Sequence, residues 1–501
     1  MRLRACLIAN RGEIAVRIIR ACRELGIRAV AVYSEVDAGA EHVRLADQAF
    51  LIGGPAAADS YLNIPRLIEA AQAADCDCVH PGYGFLSESE QFARAVQEAG
   101  LVWVGPPPDA IEAMGVKTPA RAIMEAAGVP LVPGFQSETA QDELMADAAA
   151  YIGYPIMVKA AGGGGGKGIR VVYTPDELYP ALDSARREAQ NAFGDARIFL
   201  EKFIEQGRHI EVQIAADRYG RAVHLFERDC SAQRRHQKVI EETPAPHLDA
   251  ELRQLIGESA VNAALAVGYV NVGTVEFILD ADGQFYFLEM NTRLQVEHPV
   301  TELVTGIDLV RLQFSIAQGD PLPFQQRDLH QRGHAIEARL YAEDPETGFL
   351  PSTGTITLFR PPAAPGVRVD SGVVSGNTIG IHYDPLIAKI IVWDTTREDA
   401  LRRMAQALRE TVVLGTTTNL RFLRALIAHP RFAAGGIDTH FIDDYLPELI
   451  PPAEPLPLAA LIAAALLESG MEASAPPGVA ASLLQHDPWS ARDSFRLGGQ
   501  P

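Results

Sequence analysis

The densest chemical signal in the chain is Lys159-Ala160-Ala161-Gly162-Gly163-Gly164-Gly165-Gly166-Lys167-Gly168, six glycines in ten residues with a lysine on each side of the main run. Glycine has no Cβ, so the backbone passes close to a ligand and points successive N–H groups at it. Lys159 and Lys167 suit a polyanion, most simply a nucleotide phosphate. An apolar stretch (Tyr154-Pro155-Ile156-Met157-Val158) precedes the run and a β-type stretch (Ile169-Arg170-Val171-Val172-Tyr173) follows it. The loop therefore joins two strands as a flap. It is neither a Walker A loop, which opens a helix, nor a dinucleotide fingerprint. A plain linker is the alternative, but linkers are usually Gly/Ser-rich and lack framing strands.

Two carboxylates stand out next. Glu276 lies in Gly273-Thr274-Val275-Glu276-Phe277, and Glu289 in Phe285-Tyr286-Phe287-Leu288-Glu289-Met290-Asn291. A turn at 280–283 separates the two strands, and antiparallel pairing puts both carboxylates on one face. With Asn291 they offer hard oxygen ligands of the kind Mg²⁺ (or Mn²⁺) takes beside phosphates. A polar cluster, Thr292-Arg293-Leu294-Gln295-Val296-Glu297-His298, follows directly. The stretch Glu227 to Lys238 is basic, with Arg228, Arg234, Arg235, His236 and Lys238, and suits phosphate or a small anion such as bicarbonate. Cys230 has no neighbouring Cys–His–Asx set and reads as a structural thiol.

These groups need elements to hold them. In the first hundred residues strands (5–9, 28–33, 78–79) alternate with helices (13–25, 64–74, 90–99), which predicts a parallel doubly wound sheet. The first turn, Asn10-Arg11-Gly12-Glu13, is not a dinucleotide loop, so the Rossmann-like shape does not imply NAD. From 106 to 319 helices at 110–127 precede the flap. Strands follow at 198–203, 210–215, 222–227, 273–279 and 284–289, an α+β pattern. From 332 to 445 strands (335–341, 355–359, 388–392) come before helices (397–410, 419–429). Beyond 445 the chain is rich in Pro and Ala and predicts a linker with a short helix.

Composition bounds the function. The 501 residues carry a net charge of −20, 48% hydrophobic and 22% charged residues. An acidic soluble-type chain argues against nonspecific binding to nucleic acid or to anionic membrane. The longest apolar run, 456–467, is broken by Pro457 and too short to span a bilayer. Five cysteines (Cys6, Cys22, Cys76, Cys78, Cys230) form no disulfide pattern and no zinc spacing, which predicts a reducing, cytoplasmic setting.

In order along the chain, these motifs resemble the ATP-grasp enzymes, and among them the biotin carboxylases. The resemblance spans about residues 3 to 445. It rests on Ala9-Asn10-Arg11-Gly12-Glu13-Ile14-Ala15, His80-Pro81-Gly82-Tyr83-Gly84-Phe85-Leu86-Ser87-Glu88, the flap, Arg208-His209-Ile210-Glu211-Val212-Gln213, and Glu289 through His298. It implies an N-terminal α/β domain (1–115), an ATP-grasp domain (116–331, mobile lid about 132–203), a C-terminal α+β domain (332–446) and a tail (447–501). By resemblance, Lys117, Lys159 and the flap glycines Gly163, Gly164, Gly165 and Gly166 contact ATP phosphates. Glu201, Lys202, Phe203 and Ile204 form the adenine-reading hinge, and His209, Gln233 and His236 line the nucleotide. Glu276, Glu289 and Asn291 hold the metal. Lys238, Arg293, Gln295, Val296 and Glu297 form the bicarbonate site, and Tyr83 and Arg339 face biotin. Val116 stands before Lys117 where the family commonly has Asp.

The resemblance also implies a reaction. Glu297 as general base deprotonates bicarbonate, which attacks the γ-phosphate. The carboxyphosphate yields CO₂, and Arg339 stabilises the biotin enolate. The same flap and glutamates also serve an ATP-grasp ligase that couples an acyl phosphate to an amine, and the biotin carboxylase part of pyruvate carboxylase is a further alternative. The cluster 293–297 with Arg339 favours bicarbonate and biotin. Implied partners are a biotin carboxyl carrier protein or domain, a carboxyltransferase subunit of an acyl-CoA carboxylase, and a second copy in a homodimer. An Ala-Met-Lys-Met-type biotinylation motif is not matched at Glu112-Ala113-Met114-Gly115, so biotin is expected from outside these residues.

Overall fold

Strand β1 (Ala5–Ile8) is buried throughout and starts a five-stranded parallel sheet with β2 (Arg28–Ser34), β3 (Gln48–Gly53), β4 (Cys78–His80) and β5 (Val102–Trp103). The computed structural model describes residues 2–115, 117–136, 141–160, 170–193, 196–235, 237–450 and 458–468. The strand order is β3-β2-β1-β4-β5. Winding reverses between β1 and β4, the position where ligands bind in such sheets. Two motif loops leave the sheet there, Asn10–Glu13 after β1 and Pro81–Glu88 after β4. Asn10 Nδ2 ties them together, donating to the carbonyls of Pro81 and Tyr83, each at 2.7 Å. Gly82 has φ +65°, and a Cβ there would sit 3.0 Å from Asn10 and from Ile14. Only glycine lets the two loops close on each other.

The flap strands form as the sequence predicts. β6 (Gly134–Gln136), β7 (Ile156–Ala160), β8 (Arg170–Val172) and β9 (Ile198–Lys202) make an antiparallel sheet in the order β6-β9-β7-β8. β7 and β8 pair from Ile156↔Val172 to Val158↔Arg170 and so frame the glycine run. Helices Asp142–Ile152 and Leu178–Phe193 pack Met145, Ala149, Leu178 and Leu182 onto Ile156, Val158 and Leu200.

The site sits on a third, eight-stranded antiparallel sheet. It contains β10 (Arg208–Ala216), β11 (Ala222–Arg234), β12 (Gln237–Thr243), β13 (Asn271–Leu279), β14 (Phe285–Asn291), β15 (His334–Tyr341), β16 (Val367–Ser371) and β17 (Leu386–Asp394). Their order is β14-β13-β10-β11-β12-β15-β17-β16. Strand alternation separates its faces. Ile210, Val212, Val275 and Phe277 belong to one core, and Ile240, Ile336, Ala338 and Leu340 to another. The opposite face is polar and mostly buried, with Glu289 exposed on the edge strand. Cross-strand partners line it up: Arg228↔Glu211, Glu211↔Glu276, Glu276↔Glu289, Glu241↔Glu337 and Arg339↔Lys389. Because β12 pairs with β15, this sheet continues across residue 331.

Some local expectations change, and β3 and β16 form where no strand was expected. β12 was not anticipated, because three of its seven residues, Lys238, Glu241 and Glu242, are charged and read as an exposed stretch. The single strand expected at 355–359 is two short ones, Gly354–Thr355 and Leu358–Arg360, which pair with different partners. Residues up to Ile450 form one compact unit. In the other, the described residues are the helix Leu458–Glu468. No helix among the described residues is long and apolar enough to cross a membrane.

Candidate active site

Lys238 is the centre of the polar face. β12 carries it next to β11, and its ammonium donates to Glu211, to Glu276 Oε1 (2.8 Å), to Gln295 Oε1 (3.0 Å) and to Glu297 Oε1 (2.6 Å). Sequence separations of 27 to 59 residues are thereby brought to one atom. Burial alone would lower the Lys238 pKa, but the three carboxylates hold it well above the ordinary lysine value. Each carboxylate is bridged onward. Glu297 Oε2 accepts from Arg339 Nη2 at 2.9 Å, and Arg339 Nε donates to Glu241 Oε1 at 2.6 Å. Glu276 Oε2 meets His209 Nε2 at 2.8 Å, while its Oε1 also accepts from Asn291 (2.9 Å) and Gln295 (2.8 Å). Glu211 pairs with the fully buried Arg228, which also donates to Gln213 (2.8 Å) and Thr301 (2.9 Å).

The charges are strongly polarised by this packing. Burial pushes the Glu297 carboxyl up, yet Lys238, Arg339 and Arg228 together bring it well below the usual carboxylate range. Glu276 is likewise low, because Lys238 and His209 outweigh its desolvation. His209 is raised: burial opposes its charge, and Glu276 more than compensates. Glu211 goes the other way, since burial and the nearby Glu297 and Glu276 exceed the pull of Arg228 and Lys238. The Cys230 thiol is buried and pushed far up, so it is inert at neutral pH.

Other expected residues are placed as follows. Glu289 lies directly across the ladder from Glu276, with Asn291 on the same strand. Arg293 turns toward Glu88 (2.8 Å) and Asn291 Oδ1 (2.8 Å). Val296 offers its carbonyl to Lys389 Nζ at 2.7 Å. Gln233 Nε2 reaches His209 Nδ1 at 3.5 Å. On the flap sheet Glu201 is ion-paired with Lys159 and Arg121. Lys202 Nζ donates to the carbonyls of Gly153 (2.9 Å) and Tyr154 (3.0 Å), and the Phe203 ring meets Tyr173 and His440 edge-on. Ile204 follows at the end of β9. Tyr83 lies beside Lys389, whose ammonium is 5.9 Å from the ring centroid. Gly163 to Gly166, His236 and the side chain of Lys117 lie outside the described residues; Lys117 heads the helix Lys117–Ala126.

A buried, multiply charged cluster of this kind suits anionic substrates whose charge changes during reaction. Comparison with known proteins agrees. Residues 2–111 match the family model for the biotin carboxylase N-terminal domain, 117–325 that for the carbamoyl-phosphate synthase L chain ATP-binding domain, and 337–444 that for the biotin carboxylase C-terminal domain. The biotin carboxylase of a Nostoc species is 51% identical over 446 residues, covering 89% of this chain and 99% of that protein. This chain belongs to the biotin carboxylase family. The mitochondrial methylcrotonoyl-CoA carboxylase subunit alpha of Dictyostelium discoideum is 47% identical over 98% of this chain and 70% of its own length. The chain spans 60–70% of the length of such alpha subunits. Among solved structures, the biotin carboxylase domain dimer of the Hydrogenobacter thermophilus 2-oxoglutarate carboxylase, in complex with MgADP, ADP and bicarbonate, superposes with a TM-score of 0.84 at 43% identity, covering 90% of this chain and 100% of that one.

Biotin carboxylase motifs drew attention to most of this site, but Glu211, Glu88 and Glu241 carried no expected role. Glu211 and Glu88 fall inside quoted motifs, and their spacing from apolar neighbours is the signal that marks them. Glu241 lies on a strand where an isolated charge reads as solvent-facing, and Arg228, expected in the basic anion-binding stretch, is instead committed to Glu211. Both are fully buried.

Proposed function

We propose that the chain carboxylates biotin on a carrier protein, with ATP, a divalent metal and bicarbonate, through carboxyphosphate, as the first half-reaction of an acyl-CoA carboxylase. Lys238, held among Glu211, Glu276, Glu297 and Gln295 with Arg339 on the far oxygen of Glu297, is the observation that carries this reading. A bicarbonate ion entering beside Glu297 competes for the N–H groups of Lys238 and Arg339. As those donors turn to bicarbonate, Glu297 loses the contacts that hold its pKa down and becomes a better proton acceptor. Substrate binding and base activation are then one event. Gln295, the Val296 main chain and Arg293 complete the anion cradle, and Arg293 is released from Glu88 or carries it along.

The nucleotide lies toward the flap, with Lys117, Lys159 and Gly163 to Gly166 on phosphates and Glu201 to Ile204 at adenine. His209, Gln233 and His236 line it. Glu276, Glu289 and Asn291 present hard oxygens on one sheet face, a donor set that fits Mg²⁺ or Mn²⁺. Held by these residues, such an ion would offset the charge that develops on the transferring phosphoryl group. His209, Lys238, Asn291 and Gln295 satisfy Glu276 in the meantime. Tyr83 and Arg339 face biotin, where the Arg339 guanidinium offsets enolate charge. Flap closure keeps water from the labile intermediate.

The domain divisions are those at 115, 331 and 446. A carrier domain, a carboxyltransferase and a second copy of the chain are the proposed partners. The acceptor is an acyl-CoA, to be identified by supplying acetyl-, propionyl- and 3-methylcrotonyl-CoA with a carboxyltransferase. The compartment proposed is the cytoplasm. The test of the function is ADP release with and without bicarbonate. Hydrolysis that requires bicarbonate and rises with biotin supports the proposal; hydrolysis driven by an amine and a carboxylic acid supports the carboxylate–amine ligase instead.

A further inference from the structure

Lys389 is a lysine with no exposed surface, in the middle of β17 and opposite Arg339 in the ladder. Its ammonium donates to the carbonyl of Val296 at 2.7 Å. Two acids from other elements flank it: Glu13, from the first turn of helix Gly12–Leu25, at 3.2 Å, and Asp370, on β16, at 3.9 Å. The Tyr83 ring lies on another side, 5.9 Å from the charge. One cation thus meets the turn that carries Gln295, Val296 and Glu297, the loop that carries Tyr83, and the motif that begins Asn10-Arg11-Gly12-Glu13. The helix start is seated tightly against the sheet, since a Cβ on Gly372 would come within 2.4 Å of the Glu13 nitrogen. A buried ammonium keeps its charge only where acids and acceptors surround it, and burial opposes that charge here while Glu13, Glu337 and Asp370 restore it.

We propose that Lys389 is a positioning residue that fixes the Val296 carbonyl and, through it, sets the Gln295–Glu297 turn against Tyr83, joining the bicarbonate end of the site to the biotin end. The inference rests on the reading that Gln295 to Glu297 hold bicarbonate. It accounts for the buried acid at Glu13, one turn before the buried Arg17: Glu13 is the counter-charge of a lysine 376 residues away in sequence. No covalent step is assigned to Lys389.

The test uses the full chain and bicarbonate-dependent ATP hydrolysis, with ADP affinity and melting temperature measured alongside. Lys389→Met is expected to raise the KM for bicarbonate by roughly tenfold or more while ADP affinity stays within about twofold. Should that variant fail to fold, Lys389→Met combined with Glu13→Gln removes the ion pair as a neutral unit. It is expected to regain melting temperature without regaining the bicarbonate KM. Lys389→Arg is expected to recover part of the KM. A folded variant whose bicarbonate KM stays within about twofold of the parent overturns the inference, and so does a loss of ADP affinity in equal proportion. Glu297→Gln separates the two claims. If it keeps bicarbonate-dependent hydrolysis, the bicarbonate site itself is misassigned; if it abolishes hydrolysis while Lys389→Met does not change the KM, only the role of Lys389 falls.

Discussion

Replacing Lys238 with methionine probes the site at its most connected atom. The side chain is nearly isosteric, so packing is kept and the charge is lost. Three carboxylates, Glu211, Glu276 and Glu297, then face each other with Arg228, Arg339 and His209 as the remaining cations. Breaking a buried ion pair by removing one partner costs about 3–5 kcal/mol. The protein lessens that cost by taking up protons, and Glu211, whose pKa is already raised, is the first to accept one. For the reaction, the loss is a donor aimed at an anion that gains charge in the transition state. Such a donor contributes about 3–4 kcal/mol, or roughly a hundredfold to a thousandfold in kcat. The assay is bicarbonate-dependent ADP release with free biotin, beside a melting curve and ADP affinity. A folded variant that carboxylates within about threefold of the parent would refute the placement of Lys238 at the reacting anion.

Glu276→Gln and Glu289→Gln each remove one charge from the proposed metal site, and each is expected to lower turnover by roughly a hundredfold and to shift the Mg²⁺ titration to higher concentration; turnover unchanged across that titration would contradict the assignment. Arg293→Ala is expected to abolish carboxylation while ADP still binds, and Glu88→Gln, which frees Arg293 from its 2.8 Å partner, to change the bicarbonate KM by less; equal activity in Arg293→Ala removes it from the anion cradle. Glu13 and Glu241 are both pushed up to about 7, chiefly by burial. The folded state therefore holds more protons than the unfolded chain between about pH 4.5 and 7, and stability falls as pH rises through that window, by up to about 3 kcal/mol per group. Glu13→Gln is expected to remove its share, so the difference in melting temperature between parent and variant should change across that window; a difference independent of pH would count against it.

Much of this was legible in advance, for physical reasons. The period-two alternation of β10 and β13 separates Ile210 and Val275 from Glu211 and Glu276, and the short turn at 280–283 leaves antiparallel pairing as the simple outcome. Hence the Glu276↔Glu289 pair appears where expected. The flap strands follow from apolar runs on each side of the glycines. The convergence on Lys238 was hidden, because Glu211, Glu276 and Glu297 come from three separate segments and only long-range pairing unites them. Glu241, Glu337 and Lys389 were hidden for another reason. A charge on a strand reads as solvent-facing unless a second layer covers that face, and here the helix His298–Thr305 provides the layer. β12 itself was missed for the same reason.

The central claim is that this chain activates bicarbonate with ATP and passes it to biotin. Incubation with radiolabelled bicarbonate, ATP, Mg²⁺ and a biotinylated carrier domain tests it directly. The account predicts acid-labile label on the carrier, ADP formed in step with it, and loss of both in Glu297→Gln. Label absent from the carrier while ADP forms equally with and without bicarbonate would contradict it.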